Sequence, residues 1–196
     1  MNPISAILNG FKQPMNLHSD LYKSPDDLRF RFTAHQLAQD YPLAEPVLDI
    51  GPPNKFAEDL GQCFNLYNIV STSGNLNDYT WTPDKPLQPF GTVFCFEVLE
   101  HLMSPWMMLK RLQNFIYEGT SIYITYPRRM EMFWTHAHFH EYSKKRFRYM
   151  LRDLNYTIED YNWWWYPPVE VKLGIRPLLR WTPLAMTRQQ YYKIKI

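Results

Sequence analysis

The run Val47-Leu48-Asp49-Ile50-Gly51-Pro52-Pro53-Asn54 constrains the fold more than any other segment of the chain. Its first half is a short apolar stretch ending in glycine, which reads as a buried strand that must turn sharply at its end. Pro52 and Pro53 then hold φ at about −65° and remove two backbone donors, so the turn is stiff. Asn54 is a helix N-cap residue. Strand, tight turn and helix form the opening unit of a layered α/β fold, and ligands in such folds sit beyond the carboxyl ends of the strands.

The rest of the chain repeats that alternation. Ser24-Pro25-Asp26-Asp27 is a helix start, with a capping hydroxyl, a proline at the first helical position and acids in the first turn. The helix is expected to reach Asp40. A strand follows over Glu45 to Gly51, then a helix over Asn54 to Gly61 and a strand over Phe64 to Val70. Residues 71–91 are rich in Ser, Thr, Gly, Asn, Asp and Pro and read as loop. Thr92 to Phe96 is the next strand. Trp106, Leu109, Leu112 and Ile116 recur at helical spacing, which predicts a helix over Met103 to Tyr117, ended by Gly119. Ser121 to Tyr126 reads as a strand closed by Pro127, Ser143 to Leu154 as a helix, and Tyr156 to Asn162 as a strand. In Gln190 to Ile196, Tyr191, Lys193 and Lys195 alternate with Tyr192, Ile194 and Ile196, the pattern of a half-buried edge strand.

Composition narrows the class. The chain has 196 residues, 45% apolar and 20% charged, which suits one globular domain. No run approaches the roughly 18 apolar residues of a membrane span. Met1 to Gly10 lack a basic region before an apolar run, so no secretory leader is expected and the reading is cytoplasmic. Cys63 and Cys95 read as reduced core residues. A net charge of +2 gives no strong sign of nucleic-acid binding.

Three segments then line up in order: Val47 to Gly51, Phe94-Cys95-Phe96-Glu97-Val98-Leu99-Glu100-His101-Leu102, and Glu118-Gly119-Thr120 before a strand ending at Pro127. His138-Phe139-His140-Glu141-Tyr142 and Asn155-Tyr156 extend the series. Over residues 45–160 this order resembles class I S-adenosylmethionine (SAM) dependent methyltransferases of the small "EVLEHL" type (methyltransferase type 11/12-like). The resemblance implies an α/β, Rossmann-like sandwich with a mostly parallel sheet and an antiparallel last strand. Little chain separates Gly51 from Thr92, so the third strand is expected to be shortened or missing. Residues 1–44 would form a helical cover, 45–162 the core, and 163–196 an aromatic and basic segment with the last strand, all in a single domain.

The resemblance also implies a site for SAM. Its cofactor-binding positions fall on Arg31, Asp49, Gly51, Pro52, Thr72, Asp78, Phe96, Glu97 and His101. Gly51 keeps the close-approach glycine, but Pro53 and Lys55 stand where the family has further glycines. The family places an acid on the ribose hydroxyls at the end of the second strand, and a gapless count from Gly51 puts Thr72 there. Asp78 could meet the adenine amino group or simply form a turn with Asn77. Arg31 has the spacing of an arginine that contacts the SAM carboxylate, although a solvated helix charge is the simpler reading. Glu100 could act at the site or cap a helix.

His136, His138 and His140 alternate and would share one face of an extended segment. No cysteine or second acidic cluster accompanies them, so no metal is expected. His138 and His140 are candidates for the acceptor wall and for a general base. Trp163-Trp164-Trp165 cannot all face one side of a strand, so at least one is exposed or packed on an insertion, open to substrate or to a homodimer contact. Lys172, Arg176, Arg180 and Arg188 make the end of the chain basic. Two functions remain open at this level: methyl transfer to a small-molecule or biosynthetic-intermediate acceptor, or a non-catalytic relative that binds or scaffolds.

Overall fold

In a computed structural model, residues 25–85, 89–128, 138–140, 142–166 and 187–196 are described. His136, Lys172, Arg176 and Arg180 lie outside the described residues. The elements are α1 (Pro25–Ala38), β1 (Val47–Asp49), α2 (Lys55–Phe64), β2 (Ile69–Ser73), β3 (Thr82–Pro83), β4 (Phe90–Phe96), a 3-10 turn (Leu99–His101), α3 (Pro105–Leu112), β5 (Ile116–Arg128), α4 (Lys144–Asp153), β6 (Thr157–Tyr166) and β7 (Thr187–Lys195).

All the strands join one sheet in the order β3-β2-β1-β4-β5-β7-β6. β1 runs parallel to β2 and to β4, and β4 is parallel to β5. β7 is antiparallel to both its neighbours, β5 and β6. This is the mostly parallel α/β sheet with an antiparallel last strand that the sequence predicted. The third strand is indeed cut down. β3 has two residues and folds back antiparallel on β2, pairing Thr72 with Pro83 and Ser73 with Thr82. Gly74 makes that return at φ +88, and a Cβ there would stand 2.9 Å from the Trp81 backbone.

Both faces of the sheet are covered. Alternate residues of the same strands serve different layers, as a period of two requires. Leu48, Val93, Cys95, Ile122, Ile124 and Tyr192 belong to one apolar cluster with Leu109 of α3 and Phe147 of α4. Val47, Phe94, Tyr123 and Tyr191 belong to the other, with Leu37 of α1 and Leu60 of α2. Cys63 and Cys95 are both free. No described helix is long and apolar enough to cross a membrane.

Local signals fixed two helix starts. The Asn54 side chain accepts from the Ala57 N–H, and the Ser143 hydroxyl accepts from the Arg146 N–H. Three expected boundaries move. Phe64 is not in a strand: with Ala57, Leu60 and Gly61 it completes the buried face of α2, which ends at Asn65 in the left-handed conformation. The helix expected over Met103 to Tyr117 stops at Leu112, and Ile116 already belongs to β5. The ladder between β4 and β5 then slips between Phe90 and Thr92, taking up the extra residues around Gly119. Pro127 does not close β5, which runs to Arg128.

The last strand is also misplaced by its pattern. β7 is not an edge; β5 and β6 flank it on both sides. Its lysines reach acids instead of open solvent: Lys193 Nζ stands 2.6 Å from Asp40 Oδ1, and Lys195 Nζ 2.9 Å from Glu159 Oε1. Of the tryptophans, Trp164 is buried against Phe32, with ring centroids 4.0 Å apart, whereas Trp163 is exposed.

Phe94 is fully buried at the sheet's centre and touches the rings of Phe96 and Tyr123. Phe94→Ala is therefore expected to lower the unfolding free energy by about 3–5 kcal/mol in urea denaturation. A loss below about 1 kcal/mol would show that this face is not packed as described.

Candidate functional site

The chain runs outward from β1 through β2 to β3, then returns to the other side of β1 to begin β4 and β5. The carboxyl ends of β1 and β4 therefore flank a topological switch point, where an open parallel sheet leaves a crevice. Gly51 stands at one lip. Its φ is +130, a conformation that L side chains rarely adopt, and a Cβ built there would meet nothing within 4 Å. The glycine is held from both sides. Its N–H donates to Thr72 Oγ1 at 2.9 Å, and the Thr72 N–H donates to its carbonyl at 3.0 Å. Beside it, the Ile50 N–H donates to the Phe94 carbonyl at 2.8 Å.

Below the glycine, Asp49 is buried, and Asn54 Nδ2 donates to its Oδ2 at 2.9 Å. Burial pushes the Asp49 carboxyl up to about 7, opposed in part by that hydrogen bond. Asn54 also donates to the Pro52 carbonyl at 3.1 Å. One side chain thus ties together the acid, the proline turn and the start of α2. Pro52 and Pro53 are exposed, whereas Gly51 itself is buried, with open space only where a Cβ would stand.

The opposite lip is Glu97, directly after β4. Its φ is +57, unusual for a residue with a Cβ and a sign of local constraint. Its carboxylate collects donors from three other elements. Arg29 Nη1 of α1 donates to Oε2 at 3.1 Å. Thr125 Oγ1 of β5 donates to Oε1 at 3.0 Å, and Gln189 Nε2 of β7 donates to the same oxygen. The Glu97 N–H is held by the Thr125 carbonyl. Next to this hub, Gln189 Oε1 and Arg188 Nε are buried with no hydrogen-bond partner. The Arg188 guanidinium lies 3.8 Å from the centre of the exposed Trp163 ring, and its Nη2 donates to the Tyr161 hydroxyl at 3.0 Å. Buried polar atoms without a partner among the described residues are uncommon, and these two mark the polar side of the hub.

The expected site residues divide. Gly51, Pro52, Thr72, Phe96 and Glu97 all lie at the strand ends of the crevice, with Asp49 beneath. Phe96 stacks on Phe94 at 5.1 Å and meets Phe56 edge-on at 5.7 Å. The Thr72 hydroxyl is buried and already serves Gly51, so its first role is to set the loop. Asp78 is exposed and accepts from the Thr80 N–H at 2.7 Å and the Thr80 hydroxyl at 2.5 Å. Those bonds hold its carboxyl below the usual range and make it a turn residue in this structure. Arg31 is exposed, and the arginine that reaches the crevice is Arg29. Two residues on a helix turn the side chain by about 200°, so Arg29 and Arg31 point to different sides of α1.

His101 and His138 come together, with ring centroids 4.9 Å apart and edge to face. His140 accompanies them, its Nε2 3.1 Å from the Met103 carbonyl and its ring stacked on Tyr142 at 5.2 Å. Asn77 Oδ1 accepts from the Met103 N–H at 2.6 Å, which ties the loop after β2 to the same wall. Thr125 and Gln189 carry no local signal in the sequence, because nothing local marks a residue that acts through a distant carboxylate; Arg29 stands out there only as one of two arginines in the helix before β1. Two surface grooves lie elsewhere: one of about 520 Å³ between α4 and β6, and one of about 300 Å³ between the start of α2 and Asp84. Neither touches Gly51, Phe96 or Glu97.

No protein-family profile matches the chain, and no curated protein matches it by sequence. Solved structures do. A provisionally assigned methyltransferase from Bacillus halodurans C-125 superposes with a TM-score of 0.60 at 13% identity, covering 82% of this chain and 96% of that one. A SAM-dependent methyltransferase from Archaeoglobus fulgidus gives 0.51 at 14% identity, over 87% and 97% of the two chains. The [4+2]-cyclase SpnF gives 0.56 at 13%, over 99% and 93%. The chain has the class I methyltransferase fold. The cyclase in the same set shows that the fold does not dictate the reaction.

Asp49 supplies a test of the site's electrostatics. Between its unfolded value near 3.8 and about 7, it is protonated when folded and ionised when unfolded. The native state then binds the extra proton, so this group's contribution to stability falls as pH rises through that window. Asp49→Asn should remove the dependence, and its stability relative to the parent chain should rise from about pH 4 to about pH 8 by up to roughly 4 kcal/mol. Urea denaturation across that range reads it directly. A pH-independent difference would contradict a raised carboxyl.

Proposed function

We propose that the chain binds SAM at the switch point between β1 and β4 and transfers a methyl group to a small-molecule or biosynthetic-intermediate acceptor. The observation that carries this reading is Gly51 at the end of β1, at φ +130 with open space where a Cβ would stand, next to the strand that ends at the Glu97 hub. A loop of this kind admits a ligand to backbone contact, and the fold is one that SAM-dependent methyltransferases share.

SAM, when bound, supplies an electrophilic methyl group on a sulfonium. The chain's own residues bind and align. The Gly51 and Pro52 carbonyls accept from the Thr72 N–H and from Asn54 Nδ2, which holds the turn in place, and the buried Asp49 is tied to the same turn through Asn54. A cation arriving there would favour the ionised carboxylate and lower its raised pKa. Phe96 presents an aromatic wall, and Glu97 is fixed by Arg29, Thr125 and Gln189 where a cationic or hydroxyl group of the cofactor would stand. Arg29 or Arg31 would face a carboxylate of the ligand, and Asp78 or Thr72 the adenosine end. His101 begins the acceptor wall, where His138 and His140 can take a proton from an acceptor nucleophile. Methyl transfer depends chiefly on alignment, so this wall need only hold the acceptor in line.

Calorimetric titration of the folded chain with SAM and its demethylated product should give one site, and Gly51→Trp should weaken it by at least about a hundredfold. Absence of heat at millimolar ligand would overturn the reading in favour of a non-catalytic binding protein on this fold. Glu97→Gln should cost at least about tenfold in SAM affinity by removing the charge from the hub. Unchanged affinity in that variant would assign Glu97 to folding alone.

A further inference from the structure

Three potential metal ligands meet at the far end of the Glu97 segment. Glu100, His101 and His138 each offer one ligand atom, and these atoms all lie within 4.8 Å of one another. Glu100 Oε1 stands 3.9 Å from His101 Nε2. We propose that Glu100, His101 and His138 form a binding site for one divalent transition-metal ion of the zinc class.

The donor set fits that class. Imidazole nitrogen and carboxylate oxygen bind zinc at about 2.0–2.2 Å, which puts neighbouring ligand atoms roughly 3.3–3.6 Å apart in a tetrahedral site. The present spacings are slightly wider. The His101 side chain is 45% exposed, so it can turn to close them.

The arrangement is built rather than incidental. The 3-10 turn over Leu99–His101 presents Glu100 and His101 in succession. The segment carrying His138 is bound to that same turn, because the N–H groups of Phe139 and His140 both donate to the Glu100 carbonyl, at 2.7 and 3.3 Å. His140 anchors it a second time at the Met103 carbonyl. Glu100 itself is 1% exposed and sits between the buried Leu99 and Leu102. A carboxylate in such a place carries a desolvation cost that a bound cation offsets. The sequence could not show this, because the alternating histidines lack an acid of their own; the acid and the second imidazole come from a turn almost forty residues earlier.

Three protein ligands and one exposed edge leave coordination positions open, the pattern of zinc sites that accept water or substrate rather than of closed structural ones. An oxygen or nitrogen of the methyl acceptor could occupy such a position. That role rests on the methyl-transfer reading, whereas ion binding does not.

The test uses the full chain after chelator treatment and dialysis, with no SAM present. Calorimetric titration with Zn²⁺ should show one ion per chain, and Co²⁺ should produce visible d–d absorption at the same stoichiometry. His101→Ala and His138→Ala should each weaken Zn²⁺ binding by at least about tenfold, with far-UV circular dichroism unchanged. Glu100 is buried and its substitution threatens folding, so exposed His101 is the decisive position. No stoichiometric ion, or an affinity that neither histidine variant alters, overturns the proposal. SAM titration of the chelator-treated chain is a separate measurement, so failure of one reading leaves the other standing or fallen on its own result.

Discussion

The crevice depends on a single shared carboxylate. Glu97 leaves β4 in a left-handed conformation, and its two oxygens accept from α1, β5 and β7. Those three elements are distant in sequence; β5 and β7 also pair backbone to backbone up to Arg128, and Glu97 adds α1 to them through Arg29. A half-exposed ion pair on its own contributes little to stability. Here the pair with Arg29 is one of several donors on the same carboxylate, and such groups act together more than pairwise sums suggest. The backbone strain at Glu97 is of the kind tolerated where the surroundings over-determine the geometry. The hub therefore does two things at once: it closes the sheet's upper edge, and it fixes a negative charge opposite Gly51.

What the sequence made legible was local. The apolar run ending at Gly51, the caps at Asn54 and Ser143, and the cramped space for a third strand each follow from a few adjacent residues, and the fold bears them out. What it hid was set by contacts between distant segments. β7 reads as an edge strand because Lys193 and Lys195 alternate with apolar residues, yet both lysines find acids, Asp40 and Glu159, and the strand lies inside the sheet. Phe64 reads as a strand start because it precedes an apolar run, but the helical face that includes Ala57 and Leu60 claims it. In the site, the spacing of the two arginines could not show which one the helix turns inward. Arg29 is drawn to the strand ends by Glu97, which no local pattern connects to α1.

Thr72 illustrates how this site departs from a simple transfer of roles. The residue at the position the resemblance gives to the ribose holds the glycine loop, with its hydroxyl on the Gly51 N–H and its own N–H on the Gly51 carbonyl. Pro52 and Pro53 stiffen the same turn, and Asn54 ties it to Asp49. Where added glycines would give a loop freedom to approach a ligand, this loop is preset by proline and by hydrogen bonds. Preorganisation of that kind lowers the entropy lost on binding. It also narrows the shapes that can be accepted, since a rigid loop cannot adjust around Gly51.

The histidine wall extends the same logic beyond β4. From Glu97 the chain makes one short turn, and that turn delivers Glu100 inward and His101 outward. The strand-end hub and the histidine cluster are thus coupled through a single rigid connection. The segment that brings His138 is fastened to that connection by two N–H groups on one carbonyl, and through Met103 and Asn77 to the loop after β2. A shift at Glu97 would move the turn, and the turn would move the imidazoles. A ligand that re-pairs Glu97 would act on Glu100, His101 and His138 only through this turn. An ion bound by those three would in turn hold the turn still and keep Glu97 in its strained conformation. Where a ligand at Glu97 and an ion at these side chains change one another's affinity, linkage makes the change equal in both directions.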